Sequence, residues 1–176
     1  MLGTRRGILA WGGLAAVALL SGAPSLSRAD ALPKPSGGEI ILTVDGAIAN
    51  SNGDGSTFFD LALLKTLPAR ALKMETPWTK GEHSFTGVPL EALMQWVGAQ
   101  GKTVTLFALN DYSVDMPITD GAALGALVVY LLDGQPMLPS DKGPLWLVYP
   151  YAEHPETQSE TYYQRSVWNL YSMTVR

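Results

Sequence analysis

Three short apolar runs constrain the fold of this chain more than any other feature: "KTVTLFAL" at 102–109, "ALVVYLLDG" at 126–134 and "GPLWLVYP" at 143–150. Each is bounded by Gly, Pro or Asp, each is too short for a core helix, and each carries β-branched or aromatic residues, so they predict strands. "EIILTVDGAI" (39–48) adds a strand that turns at Asp45-Gly46, and "SVWNLYSMTVR" (166–176) alternates as a last strand. Helical periodicity is clearest in "FTGVPLEALMQWVG". There Pro89 suits the first helical position, Leu90, Leu93, Met94 and Val97 fall on one face, and Gly98 closes the end. A shorter helix is expected within "NSNGDGSTFFDLALLKTLP", capped by Ser56, with Phe58, Leu61 and Leu64 as its buried stripe and Pro68 as its stop. "ITDGAALGA" predicts a turn or two of helix capped by Thr119 or Asp120. Strands interrupted by helices without regular alternation, and without an internal repeat, predict an α+β domain with a mixed β-sheet and a few short helices.

The amino terminus reads as an export signal. "TRRGILAWGGLAA" places Arg5-Arg6 before a soft apolar run that ends near Gly22, shorter than the roughly 20 residues a membrane-spanning helix needs. The paired arginines match a twin-arginine signal. Small residues around Asp30 put the mature start at Leu32, with cleavage after Ala29 as the second choice. The expected organisation is therefore a signal peptide over 1–31, a Pro- and Gly-rich linker over 32–38 that is extended or mobile, and a single domain over 39–176. The expected location is periplasmic or otherwise exported, with no membrane insertion after cleavage.

Charge and composition exclude several functions. The whole chain has a net charge of −4; the first 31 residues hold Arg5, Arg6 and Arg28 against Asp30, a net +2, so the remainder carries −6. An acidic chain without basic clusters is a poor partner for nucleic acid or anionic membranes. Zero cysteines remove disulfides, thiolate metal sites and a thiol nucleophile together. The calcium-like opening Asn50-x-Asn52-x-Asp54-Gly55 has Leu61 where the bidentate carboxylate belongs, so it reads as a turn.

Taken in order, Gly87-Val88-Pro89-Leu90, Asp111-Tyr112, Asp133-Gly134 with Pro136, Gly143-Pro144 through Pro150, and Trp168 resemble the oxidoreductase molybdopterin-binding domain, the fold that carries the pterin cofactor in sulfite oxidases. The resemblance runs over roughly 39 to 175 and is nearest to short stand-alone exported members. It implies a sulfite-oxidase-type α+β fold and a molybdopterin site. The chain departs from those enzymes where a cysteine thiolate binds molybdenum: "PARALKMETPWTKGEHSF" has none. Met74 is its nearest sulfur, a neutral thioether that cannot replace an anionic ligand. The cofactor's phosphate would also need cations, for which Lys80, Lys142 and Arg165 are the candidates.

Eight residues are candidate ligand contacts. Trp78 offers a stacking surface, His83 lies in a polar loop, and Asn110, Asp111 and Tyr112 occupy the family's Asp-Gly-Tyr position. Lys142 and Arg165 are anion binders, with Trp168 stacking behind Arg165. His154 with Glu153, Glu156 and Glu160 could assemble a hard-metal site or remain a solvated acidic loop in the long connection 150–168. Two functions follow. One is a periplasmic ligand-binding, sensing or accessory module without its own molybdenum centre, acting on a small molecule or a periplasmic or membrane protein partner. The alternative is a small molybdopterin-dependent oxidoreductase with a non-cysteine metal ligand.

Overall fold

The computed structural model describes residues 32–176, so the expected export signal lies outside the described residues. The chain forms β1 (Ile40–Gly46), β2 (Thr57–Asp60), α1 (Leu61–Leu64), β3 (Arg70–Met74), β4 (His83–Pro89), α2 (Leu90–Trp96), β5 (Thr103–Ala108) and β6 (Ser113–Pro117). It continues through α3 (Asp120–Leu124), β7 (Leu127–Leu132), β8 (Gln135–Pro136), β9 (Trp146–Val148), a 3-10 turn (Pro155–Thr157), α4 (Glu160–Arg165) and β10 (Leu170–Val175).

Among the described residues, ten strands make two sheets. The first has the order β2-β1-β10-β5-β6; β1 and β10 run parallel and the other neighbours antiparallel, so this sheet is mixed as expected. The second, wholly antiparallel, was not foreseen. It runs β3-β4-β7-β8, with β9 also pairing β7. The burial patterns explain which strands the sequence revealed. β7 and β9 are apolar runs because they are buried along most of their length. β3 alternates, with Leu72 and Met74 inward and Ala71 and Lys73 exposed, and β6 is an edge strand that buries only Met116. In β10 a register shift between Leu170 and Ser172 breaks the two-residue period, so Leu170, Met173 and Val175 all face inward.

α2 forms where its periodicity predicts. Leu90, Leu93 and Met94 are buried, as is Val97 at the C-cap. Gly98 takes φ +63, its N–H bonds to the Gln95 carbonyl at 3.1 Å, and the Ala99 N–H bonds to the Met94 carbonyl at 2.9 Å. That pair of bonds is a Schellman cap. Pro89 is the last residue of β4 rather than the first of the helix. Gly87 has a steric reason to be glycine: β4 shifts register against β7 there, and a Cβ would lie 2.2 Å from the Val128 carbonyl oxygen.

α1 differs from expectation. Phe58 and Phe59 lie in β2, and the cap is Asp60, whose Oδ1 accepts from the Leu63 N–H at 2.7 Å; Ser56 plays no such part. Asp60 Oδ2 also accepts from Ser36 N, Ser36 Oγ and Gly38 N, so the 32–38 segment, expected to be extended or mobile, is irregular but tied down. These donors, the Leu63 N–H first, hold the Asp60 carboxyl below its ordinary range. In the calcium-like turn, Asn52 is used by the backbone: Oδ1 accepts from Phe58 N, and Nδ2 donates to the Phe58 and Pro33 carbonyls.

One continuous apolar core joins the inner faces of both sheets with α1 and α2. Among the described residues, no helix is long and apolar enough to cross a membrane.

Candidate functional site

The site grows from a tight turn between β3 and β4. In Thr76-Pro77-Trp78-Thr79 the Thr79 N–H bonds to the Thr76 carbonyl at 3.2 Å, and Pro77 occupies the position where its fixed φ favours the turn. Thr76, buried, braces the loop through its hydroxyl, which pairs with the Thr79 hydroxyl at 2.9 Å and accepts from Trp78 N at 3.3 Å. Trp78 is thereby projected into an aromatic cluster. Its ring centroid lies 5.6 Å from Tyr163, 5.7 Å from Trp168, 5.9 Å from Trp146 and 6.4 Å from Tyr151, with interplanar angles of 58° or more. Aromatic rings prefer such edge-to-face arrangements, which bring the positive edge of one toward the negative face of another.

The outer side of this cluster opens into a cavity of about 380 Å³, within the range of small-molecule sites. Three connections build its wall: the Trp78 turn from the second sheet, the β5–β6 hairpin from the first, and α4 with the strand lead-in that follows it. The wall is largely apolar and aromatic. Tyr163 packs edge to face against Trp78, and Tyr112 fastens the hairpin to α4 by donating its hydroxyl to the Gln164 carbonyl at 3.0 Å. Ser166 has no hydroxyl proton to spare, since Oγ donates to the Tyr162 carbonyl while accepting from Tyr151. Burial pushes the Tyr151 hydroxyl up to about 12, so it remains a neutral donor.

Of the eight candidates, the structure brings Trp78, Asn110, Tyr112 and Trp168 together in this wall. The other four lie outside it. Asp111 makes the hairpin turn, at φ +64, a conformation that Asp tolerates. Lys142 bonds to Asp141 at 3.1 Å with its ammonium 5.5 Å from the Trp146 ring centroid. Arg165 turns inward: Nη1 donates to Asp120 Oδ2 at 3.1 Å and the guanidinium covers Tyr162. Asp120 is therefore committed to Arg165 and to the Tyr149 hydroxyl at 2.7 Å, and Thr119, at the N-cap of α3, makes no side-chain capping bond.

His83 is a clasp between strands. Nδ1 donates to Asp133 Oδ2 at 2.7 Å, Nε2 faces the Lys80 carbonyl at 3.0 Å, and Asp133 Oδ1 accepts from Ser84 N at 2.9 Å. Both ring nitrogens face acceptors, an arrangement only the imidazolium satisfies. Hydrogen bonding to Asp133 first, then to the Lys80 carbonyl, raises the His83 pKa; the same bond, then Ser84 N–H, lowers that of Asp133. The His83 contribution is complete below its ordinary 6.5 and is lost as pH rises through the raised folded value; the Asp133 contribution is present above its ordinary 3.8 and is lost as pH falls through the lowered one. The clasp is thus strongest between those two ordinary values. Asp133→Asn is expected to lower the His83 titration midpoint followed by NMR of its imidazole protons. An unchanged midpoint would show that the pair is not formed in solution.

Sequence reasoning missed Tyr163, Glu160 and Gln164 as wall residues. The signal was a tyrosine pair within Glu160–Arg165; α4 spaces Glu160, Tyr163 and Gln164 at i, i+3 and i+4, on one side of the helix. The connection expected to be irregular thus contains the 3-10 turn and α4. Its acidic residues do not gather around His154 as a set. Glu153 pairs with Arg70, Glu156 with His154 at 2.9 Å, and Glu160 accepts from Gln164 at 3.0 Å. Among the described residues no group of three His, Cys, Asp or Glu is placed to hold a metal.

The donor set of the wall does not fit a phosphate-bearing molybdenum pterin. It holds no Lys, Arg or His and no sulfur; Glu160 is its one ionisable carboxylate. Met74 is buried in the core opposite His83, and Lys80, Lys142 and Arg165 do not line the cavity. A phosphate placed there would find aromatic faces and a carboxylate in place of cations. Fold and site together define a two-sheet α+β domain with an aromatic, cation-free cavity. No protein-family model matches the chain, and a search of curated proteins finds no significant match.

Proposed function

We propose that the protein is an exported module of the sulfite-oxidase molybdopterin-binding-domain type that binds a small molecule in the aromatic cavity, and senses it or passes it to a periplasmic or membrane partner, without a molybdenum centre of its own. The observation that carries this reading is the wall itself: Trp78, Tyr112, Tyr163 and Trp168 around a cavity that lacks both an anionic sulfur and a cation for phosphate. Supporting it are the α+β architecture and the ordered motifs. Gly87 sits at the β4 register shift, and Asp133-Gly134 makes the β7–β8 turn. The alternative, a molybdopterin-dependent oxidoreductase with a non-cysteine ligand such as a carboxylate, would need cationic contacts to the cofactor's phosphate that this wall does not offer.

The test is elemental analysis with pterin extraction on protein expressed in a cofactor-competent host. Only traces of molybdenum and pterin are expected. One molybdenum per chain would overturn the proposal. A ligand seated in the cavity is expected to change tryptophan emission, since Trp78 and Trp168 form its wall, and to stabilise the fold by about 2.7 kcal/mol at a concentration 100 times its Kd.

A further inference from the structure

Resting on that binding reading, we propose that the cavity takes an organic cation of the quaternary or methylated ammonium class, held by the faces of Trp78, Trp168, Tyr112 and Tyr163 and by the Glu160 carboxylate. Ring orientation is the first ground. A flat heterocycle is best held in a slot between parallel rings, whereas Trp168 and Tyr163 are inclined to Trp78 by 71° and 81°. Rings that meet edge to face form an angled corner in place of a parallel slot, which suits a rounded, tetrahedral head with a diffuse positive charge seated on their open side; cations within about 6 Å of ring centroids are attracted by the ring quadrupoles.

Charge is the second ground. Glu160 is the one charged residue in the wall. One of its oxygens takes the Gln164 amide, and no cationic side chain pairs with it among the described residues. The cations that could have neutralised the cavity are held elsewhere. Arg165, next to the wall residue Gln164, is turned to Asp120, and Lys142 is turned to Asp141. Both also sit 5.5 Å from ring centroids, over Tyr162 and Trp146, so this part of the fold already uses aromatic faces to hold positive charge. A ligand ammonium in the cavity would meet the same kind of faces without a competing side chain, in a molecule whose net charge attracts it.

The experiment is a titration of the purified protein with choline and with neohexanol, its uncharged carbon isostere, followed by tryptophan fluorescence and calorimetry, with adenine as a flat uncharged control. Choline is expected to bind at least about tenfold more tightly than neohexanol, and more weakly as salt is raised. Glu160→Gln is expected to weaken choline about threefold to fivefold and to leave neohexanol unchanged. Trp168→Ala is expected to weaken choline about tenfold. Equal affinity for choline and neohexanol, or binding of adenine alone, overturns the cation assignment and leaves the binding module intact. Binding of none of the three overturns both.

Discussion

Trp146→Ala is expected to lower the unfolding free energy by about 3–5 kcal/mol, read as a fall in the urea midpoint at unchanged slope. Trp146 is fully buried in β9, packs against Phe85 at 5.7 Å and Trp78 at 5.9 Å, and donates its indole N–H to the Ser166 carbonyl at 3.3 Å. Truncation removes a large apolar volume at a site where both sheets and the α4 connection meet, which leaves little freedom for neighbours to close the gap. It also strips support from Trp78 and Ser166, two residues of the cavity wall, so any ligand is expected to bind more weakly in the same variant. Trp168→Ala, at a half-buried position, is expected to cost clearly less stability while removing a wall of the cavity. A Trp146→Ala loss under about 1 kcal/mol would contradict the packing described.

Asp120→Ala is expected to be comparably severe, about 3–5 kcal/mol, because one carboxylate oxygen serves two partners: the buried Tyr149 hydroxyl and the Arg165 guanidinium, whose side chain is only 20% exposed. Removing it leaves a phenol and a largely buried cation without their acceptor. Burial, then the bond to Asp120, drives the Tyr149 pKa far above its ordinary value, so the phenol stays a donor at every working pH. Tyr149→Phe is expected to cost only about 1 kcal/mol, and the double variant to cost less than the sum of the two. Additive costs measured by urea denaturation would show that the two side chains do not interact.

Legibility in the sequence followed the pattern of burial. α2 was readable to its cap because one buried stripe imposes the 3.6-residue period, and Gly98 ends it through its own φ. β5, β7 and β9 were readable as apolar runs. β3 and β6 were not, since short half-exposed strands resemble polar loops, and α4 was invisible because it has no buried residue and so no apolar stripe. Among site residues, Trp78 and Trp168 were singled out as stacking aromatics, and Tyr112 by its place after a strand in the position the family resemblance marks. The partners of the charged candidates were not legible: His83 meets Asp133 fifty residues away, and Arg165 meets Asp120 forty-five away.

From the sequence alone came the exclusions and the local elements. The absence of cysteine removes thiolate chemistry whatever the fold, and short-range periodicity places helices and strands, because both depend only on a residue and its near neighbours. Tertiary structure alone decided the division into two sheets, the diversion of Arg165 and Lys142 away from the cavity, and the meeting of Trp78 with Tyr163 and Trp168. Those outcomes depend on which distant segments pair and which charges find partners on the way, and no local pattern of residues encodes such contacts.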